Sequence, residues 1–214
     1  RPLWGSPTKY AAFDQGGSSQ GAFIGNWSVF QTNPNILIYR SSPGNVEYQS
    51  DEIFSTTCHE TAHLTHILEM NAGAIQFLQV SARIRESWAI GVEWLITQME
   101  YRERGIPNDS DPFYNVNAGF PTRFAHQNWR YGMQGGTLDD YTCLFIDLVD
   151  NHNQAGQFGG ITTLTDNVSG YSLATIESTM LKHVYGIGSL RDELKNNKAP
   201  GVTDAQIDEL INQF

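Results

Sequence analysis

Side chains able to bind a metal or transfer protons are concentrated in one short stretch of this sequence. The segment "STTCHETAHLTH" contains His59, Glu60, His63 and His66. The first three form the pattern H-E-x-x-H, whose histidines lie on one face of a helix, so that both imidazoles can reach one ion. Glu60 is turned about 100° from His59, which is the place for a general base acting on an activated water. The pattern predicts a catalytic Zn²⁺ site with His59 and His63 as ligands.

Two neighbouring side chains are weaker candidates for the same ion. His66 lies about 10 Å beyond His59 along a straight helix, whereas two ligands of one tetrahedral zinc ion are about 3.5 Å apart. We therefore expect His66 to lie in a second layer around the site or to be exposed. Cys58 diverges by about 100° from His59, which favours a structural thiol over a ligand.

A catalytic zinc site needs a third protein ligand, and two known extensions of the pattern supply it differently. In the metzincin pattern, H-E-x-x-H-x-x-G-x-x-H, a glycine turns the chain back towards the ion. Here His66 occupies the glycine position and Glu69 the last position, so we expect the helix to continue and Glu69 to point away. In the gluzincin pattern the third ligand is a glutamate on a later helix.

The later helical segment offers Glu86, Glu93 and Glu100, which lie on one stripe because they are seven residues apart. The first two stand in the otherwise apolar run "RESWAIGVEWLIT", where an ionised carboxylate needs a partner such as a metal ion. Glu100 has the features of a solvated acidic edge. On the residues alone, either Glu86 or Glu93 can complete the site.

The layout resembles the zinc site of gluzincin metallopeptidases over about residues 33–104: "HETAH", then 22 residues, then "ESWA" with a further acid seven residues past Glu86. The resemblance implies a zincin-like fold, a peptide or protein substrate, Glu86 as the third zinc ligand and Glu93 in the second layer. The sequence departs from some members at Ile90, where they carry an Asp that orients a ligand histidine. That partner must come from elsewhere, either Glu93 or a backbone carbonyl.

Hydrolysis would also require a donor to the oxygen that gains negative charge. We favour Tyr171, which lies in "NVSGY" just ahead of a predicted helix. The candidates in the second half of the chain are His126, Tyr131, Tyr141, His152, Tyr171 and His183.

The elements that must position the zinc site are mostly helical. Two strands are predicted at "NWSVFQT" (26–32) and "NILIYR" (35–40), after an irregular segment 1–25. The second strand is either the sheet edge to which an extended peptide adds or a core strand. A helix capped by Ser50 or Asp51 should run to about Met70.

A second helix, predicted over 79–105, carries the glutamates. It is followed by a long loop at 107–124. Further helices are predicted at 137–153, 171–186, 189–197 and 203–214.

The composition argues against several classes of partner. Thirteen basic and twenty-three acidic residues give a net charge of −10, which disfavours nucleic acid and anionic lipid as partners. No apolar run approaches the roughly 20 residues of a membrane span. The start "RPLWGSPTKY" suggests a processed chain whose targeting segment is missing. The scarcity of Lys and the abundance of Gly, Ser, Asn and Thr suit an extracellular, periplasmic or lipid-anchored protein of the cell surface.

Taken together, the sequence predicts a single α+β catalytic domain, 1–214, that is predominantly helical with a small N-terminal sheet. Its N-terminal lobe, 1–104, would carry the strands, the H-E-x-x-H helix and the glutamate helix, and 105–214 would form a helical C-terminal lobe. The predicted function is zinc-dependent peptide hydrolysis with Glu60 as general base. The alternatives are a non-catalytic zinc-binding protein and a hydrolase of non-peptide amides or esters.

Overall fold

The computed structural model describes residues 10–16, 21–23, 36–41, 47–48, 50–70, 74–104, 140–151 and 165–214. This described part is predominantly helical and has one small sheet near its start, as the sequence predicts. The predicted strand at 26–32 and the predicted loop at 107–124 lie outside the described residues.

Three strands form the sheet: β1 (Tyr10–Gly16), β2 (Gly21–Phe23) and β3 (Ile36–Ser41). Their order is β1-β3-β2, with β1 parallel and β2 antiparallel to β3. β3 confirms the predicted "NILIYR" strand. The prediction of an irregular segment 1–25 was wrong at 10–16 and 21–23, the parts of it that the structure describes. Strands that contain glycine and alanine have a weak propensity of their own and form here by pairing with β3.

β3 is the middle strand of the described sheet. Ile36 and Ile38 are buried and alternate with half-buried Leu37 and Tyr39, the period expected when one face of a strand packs on the core. Since both sides of β3 are paired, the suggestion that it is a peptide-binding edge was wrong, and it is a core strand.

Two long helices follow, α1 (Ser50–Met70) and α3 (Ala82–Glu103), with the short α2 (Ala74–Gln79) between them. α1 has the predicted bounds. The predicted second helix was wrong at its start, because Ser81 caps α3: its Oγ accepts the N–H of Ile84 at 3.4 Å. This cap separates α3 from α2, which the sequence did not predict.

α3 packs closely on α1. Trp88 and Trp94 on α3 are almost completely buried. The indole N–H of Trp88 donates to the carbonyl oxygen of Ala62 on α1 at 3.3 Å. This bond satisfies a buried donor and helps to set the register of the two helices next to the histidines.

α3 also packs on α4 (Leu144–Val149), whose core residues are completely buried. A Cβ on Gly91 of α3 would lie 2.8 Å from the Cβ of Phe145, so only glycine allows this close approach. The predicted helix 137–153 was wrong at both ends within the described residues, because 140–143 and 150–151 are not helical. The backbone of residues 140–142 is held by side-chain hydrogen bonds from α3.

The C-terminal part contains three further helical segments and contacts the first half directly. The backbone N–H of Ser81 donates to the carbonyl oxygen of Tyr185 at 2.8 Å. Lys182 Nζ forms an ion pair with Glu69 Oε2 of α1 at 3.4 Å. The division into two lobes stays a prediction. The segments are α5 (Leu173–Thr175), continued by a π-helix (Ile176–Met180) and a 3₁₀ turn (Leu181–His183), then α6 (Ile187–Asn196) and α7 (Asp204–Ile211).

No helix in the described ranges is both long enough and apolar enough to cross a bilayer.

Asp166, just ahead of α5, is a buried carboxyl group. Its Oδ1 accepts the backbone N–H of Val168 at 3.0 Å. Burial raises its pKa to about 8; the Val168 bond opposes this rise, and the charge of Asp150 adds to it. Asp166 is therefore protonated in the folded chain at pH values where it is ionised in the unfolded chain.

We predict that the free energy of unfolding falls as the pH rises from about 4 to about 8. In that window the folded state retains a proton that the unfolded state, with an Asp pKa of about 3.9, has lost. Asp166→Asn keeps an acceptor for Val168 and should flatten the slope by up to about 1.4 kcal/mol per pH unit. Urea unfolding at pH 5, 6, 7 and 8 measures this slope.

Asp204→Asn is the control for this experiment. Asp204 is exposed and its pKa is lowered by Lys198, so its ionisation adds stability that is lost only as the pH falls towards the acid range. Asp204→Asn should therefore leave the slope of the unfolding free energy against pH unchanged between pH 5 and 8. Equal slopes in wild type and Asp166→Asn would contradict the assignment.

Candidate metal centre

α1 presents two histidines to α3. His59 and His63 are four residues apart on this helix, and both are buried. Their ring centroids are 4.9 Å apart and the rings are nearly perpendicular, at 84°. The helix spacing therefore brings two imidazoles to one point, as the sequence predicts.

α3 supplies a carboxylate to the same point. Glu86 Oε2 lies 3.6 Å from His59 Nε2 and 3.3 Å from His63 Nε2. One ligand atom from each of the three side chains lies within 4.8 Å of the others. Two ligands of a tetrahedral ion with bonds of about 2.1 Å are about 3.4 Å apart, so these donors fit a small divalent cation.

Glu93 contacts the opposite nitrogen of His59. Its Oε2 lies 3.0 Å from His59 Nδ1, two helical turns beyond Glu86 on the same face of α3. With Nδ1–H donating to Glu93, the Nε2 atom of His59 is directed at Glu86 and His63. Glu93 thus supplies the histidine-orienting carboxylate that Ile90 does not, and Glu86 rather than Glu93 joins the three-residue group.

His59 and Glu86 each favour the charged form of the other. Burial lowers the pKa of His59, but hydrogen bonds to Glu86 and Glu93 outweigh it and raise that pKa to about 10. Burial raises the pKa of Glu86, but the two histidines reverse the effect and hold it well below its usual range. A cation at the centre would replace the proton on His59 Nε2, so that binding would release protons.

Glu60 is buried beside the cluster, on the helix position next to His59. Its charge contributes to the raised pKa of His59 and to that of Tyr141, so it lies within electrostatic reach of both. A carboxylate in this position is close to the metal-binding point without belonging to the three-residue group.

Tyr141 is an aromatic residue that contacts the cluster. Its ring stacks on the His59 imidazole at 5.9 Å with an interplanar angle of 22°. Burial raises its pKa above the usual range, and the charge of Glu86 and a hydrogen bond to that carboxylate add to the rise. The phenol is therefore a proton donor at neutral pH.

The preference for Tyr171 among the possible donors was misplaced. The Tyr171 hydroxyl donates to the carbonyl oxygen of Leu194 at 3.2 Å, a packing bond in the C-terminal core. His183 is exposed at the end of its 3₁₀ turn. Tyr141 was among the sequence candidates, but nothing in its local pattern distinguished it. The candidates His126, Tyr131 and His152 lie outside the described residues.

The remaining candidates stay apart from the three-residue group. His66 is completely buried, and its ring centroid lies 5.3 Å from that of Phe77, so the alternative of an exposed His66 was wrong. Burial lowers its pKa to about 3, with His63 and Arg85 adding to this effect, and its imidazole is therefore neutral. Glu69 pairs with Lys182, in line with the expectation that it points away.

Cys58 and Glu100 also lie outside the three-residue group. Burial, followed by the charges of Glu93 and Glu100, raises the pKa of Cys58 to about 12. This side chain is therefore a neutral thiol, and it is not among the three potential ligands. Glu100 forms an ion pair with Arg104 one turn along α3, as expected for an acidic helix edge.

Comparisons with protein-family models, with curated proteins and with solved structures give no match to this chain.

We predict that Glu93→Ala weakens binding of a divalent metal ion by about 10- to 100-fold, the usual effect of removing the partner of a ligand histidine. The measurement is the metal dissociation constant, obtained by competition with a chromogenic chelator. Glu100→Ala removes the same charge further along the same stripe and should leave this constant unchanged. An equal loss in both variants would show that overall charge, and not contact with His59, determines affinity.

Proposed function

We propose that this protein is a zinc-dependent hydrolase of the gluzincin type, with a zincin-like fold, that cleaves peptide bonds. The observation that carries the proposal is the convergence of His59, His63 and Glu86 from two helices, with Glu60 beside them. Three protein ligands leave a coordination position for water or substrate, which distinguishes catalytic from structural zinc sites. The expected substrate is a peptide or protein.

The donor set supports zinc over other common cations. Two imidazole nitrogens and one carboxylate oxygen suit zinc, whereas calcium and magnesium favour oxygen ligands alone. A Glu93 carboxylate on the far nitrogen of His59 is the outer-shell partner that ligand histidines usually have. When bound, the ion would acidify a water molecule and polarise a carbonyl group.

Each side chain around the ion has a separate task in this proposal. Glu60 accepts a proton from the attacking water as the oxygen bonds to the carbonyl carbon, and then passes that proton to the leaving nitrogen as the C–N bond breaks. Tyr141, a phenol with a raised pKa stacked on His59, donates to the carbonyl oxygen as it gains negative charge. Glu93 keeps the His59 ring in its orientation.

Zinc content provides the first test. Wild-type protein should contain about one zinc ion per chain, and Glu86→Ala should lose most of it because two histidines alone leave the ion undercoordinated. Elemental analysis of the two proteins, purified side by side, measures this. Glu100→Ala, on the same face of α3, should retain the wild-type content. A wild type that takes up no zinc even after reconstitution would refute the proposal.

Replacement of the base provides the second test. Glu60→Gln should reduce hydrolysis of a quenched fluorescent peptide pool by about 10²- to 10⁴-fold, with zinc content unchanged because Glu60 is not a ligand. Glu69→Gln, on the same helix but paired with Lys182, should retain activity.

Three outcomes of the second test would change the proposal. Unchanged activity in Glu60→Gln would remove it as the base. Zinc-loaded wild type that cleaves only non-peptide amides or esters would change the substrate class. Zinc-loaded wild type with no hydrolytic activity at all would favour a non-catalytic zinc-binding protein.

A further inference from the structure

We infer that Ser87 is a positioning residue that holds Tyr141 against the metal centre through a buried pair of hydroxyl groups, Ser87 and Thr142. This inference deepens the proposed function and rests on it for the task of Tyr141. It concerns a residue that no sequence motif singles out, because Ser87 resembles any small polar residue on a helix.

The hydroxyl clamp consists of Ser87 and Thr142 together with the backbone on both sides of Tyr141. Ser87 Oγ lies 2.7 Å from Thr142 Oγ1, accepts the backbone N–H of Thr142 at 3.0 Å, and donates to the carbonyl oxygen of Asp140 at 3.3 Å. The Thr142 hydroxyl can donate to Ser87 in the same arrangement. One serine side chain thus binds the residue before and the residue after Tyr141.

Burial makes these bonds strong constraints. Ser87 and Thr142 are both completely buried, so a hydroxyl, N–H or carbonyl group that lost its partner there could not turn to solvent instead. Residues 140–142 are not in a helix or a strand. The orientation of Tyr141 therefore depends on these side-chain bonds rather than on a regular backbone ladder.

The clamp is tied directly to a proposed zinc ligand. Ser87 follows Glu86 on α3, so its side chain is turned about 100° from the carboxylate: Glu86 faces the histidines and Ser87 faces the 140–142 segment. Tyr141 itself contacts two of the proposed zinc ligands. Its ring stacks on His59, and its hydroxyl forms a hydrogen bond with Glu86. The position of the phenol relative to the metal ligands is thus fixed at both ends.

Packing one turn further along the same helix face supports the clamp. Gly91 is four residues after Ser87 and meets Phe145 of α4 at the close approach described above. Thr142 also accepts the backbone N–H of Leu144 at 3.4 Å, at the start of α4. Segment 140–142 and α4 are therefore held on one stripe of α3, by hydrogen bonds at Ser87 and by close packing at Gly91.

The decisive experiment is a double-mutant cycle with Ser87→Ala, Tyr141→Phe and the double variant. Tyr141→Phe should lower kcat about 100-fold, and Ser87→Ala about 10-fold with little change in KM, because a misplaced donor weakens the transition state more than substrate binding. The double variant should match Tyr141→Phe alone. If kcat of the double variant instead fell by the product of the two single decreases, Ser87 would act independently of Tyr141 and the inference would be overturned.

A zinc-affinity cycle repeats the test without turnover. Because Tyr141 bonds a ligand carboxylate, Tyr141→Phe should weaken zinc binding several-fold. Ser87→Ala should weaken it in the wild-type background but not in Tyr141→Phe. If zinc binds but no substrate is cleaved, the catalytic proposal fails while this cycle still decides the role of Ser87.

A third measurement needs neither zinc nor substrate. In protein labelled with 3-fluorotyrosine, the ¹⁹F resonance that is absent from Tyr141→Phe identifies Tyr141. That resonance should shift or broaden in Ser87→Ala. It should stay in place in Thr97→Val, a buried hydroxyl on the same helix whose Oγ1 forms no hydrogen bond with the described residues. An unmoved resonance in Ser87→Ala would contradict the clamp even in a protein that binds no metal.

Variants at Thr142 cover the case in which Ser87→Ala fails to fold. Thr142→Val removes the second hydroxyl at nearly constant volume and should reproduce the Ser87→Ala effects on kcat and on the Tyr141 resonance. Thr142→Ser retains the hydroxyl and should restore values close to the wild type. Equal behaviour of the two Thr142 variants would refute a role for the hydroxyl pair.

Discussion

The structure depends on a carboxylate, Glu86, held between two imidazoles in the contact between α1 and α3. An ionised group in such a place is unfavourable unless opposite charge and hydrogen bonds compensate it. The compensation comes from a protonated His59: burial lowers its pKa, but hydrogen bonds to Glu86 and Glu93 raise it to about 10. The two helices must therefore meet in a register that brings His59 and His63 to this carboxylate, and the Trp88 bond to Ala62 fixes that register from the side.

One helix supplies two functional faces because successive residues are turned by about 100°. The stripe that carries Glu86 and Glu93 faces α1 and its histidines. The stripe that carries Ser87 and Gly91 faces residues 140–145. A shift of α3 would move both stripes together, so the positions of the proposed ligands and of the proposed donor are coupled. Residues 140–142 can therefore contribute to a defined site although they have no regular secondary structure.

Acidic side chains outnumber basic ones in the cluster. Glu60, Glu86 and Glu93 lie around two histidines. A divalent cation would offset this excess and free the His59 Nε2 lone pair for coordination. Cys58, one position before His59, lies outside the three-residue group, so the donor atoms are nitrogen and oxygen, which suit the proposed zinc ion.

The sequence by itself determined the features that depend on residues close together in the chain. Helical spacing within α1 was sufficient to bring His59 and His63 together, and the apolar run around Glu86 and Glu93 marked α3 as buried. Neither conclusion needs a long-range contact, because a helix fixes the relation of residues three to seven apart. The same reasoning predicted β3 and the bounds of α1, which have strong periodicity or a clear cap.

Only the tertiary structure decided which distant groups meet. Glu86 and Glu93 have nearly the same local surroundings in the sequence. The position of α3 along α1 determines that Glu86, and not Glu93, joins His59 and His63 in the three-residue group. The tertiary structure brings Tyr141 into contact with His59 and Tyr171 into contact with Leu194. It also binds residues 140–142, which the sequence predicted as helical, to Ser87. It also formed β1 and β2 from weak strand sequences. In each case the deciding energy is a contact between residues far apart in the chain, which no local pattern contains.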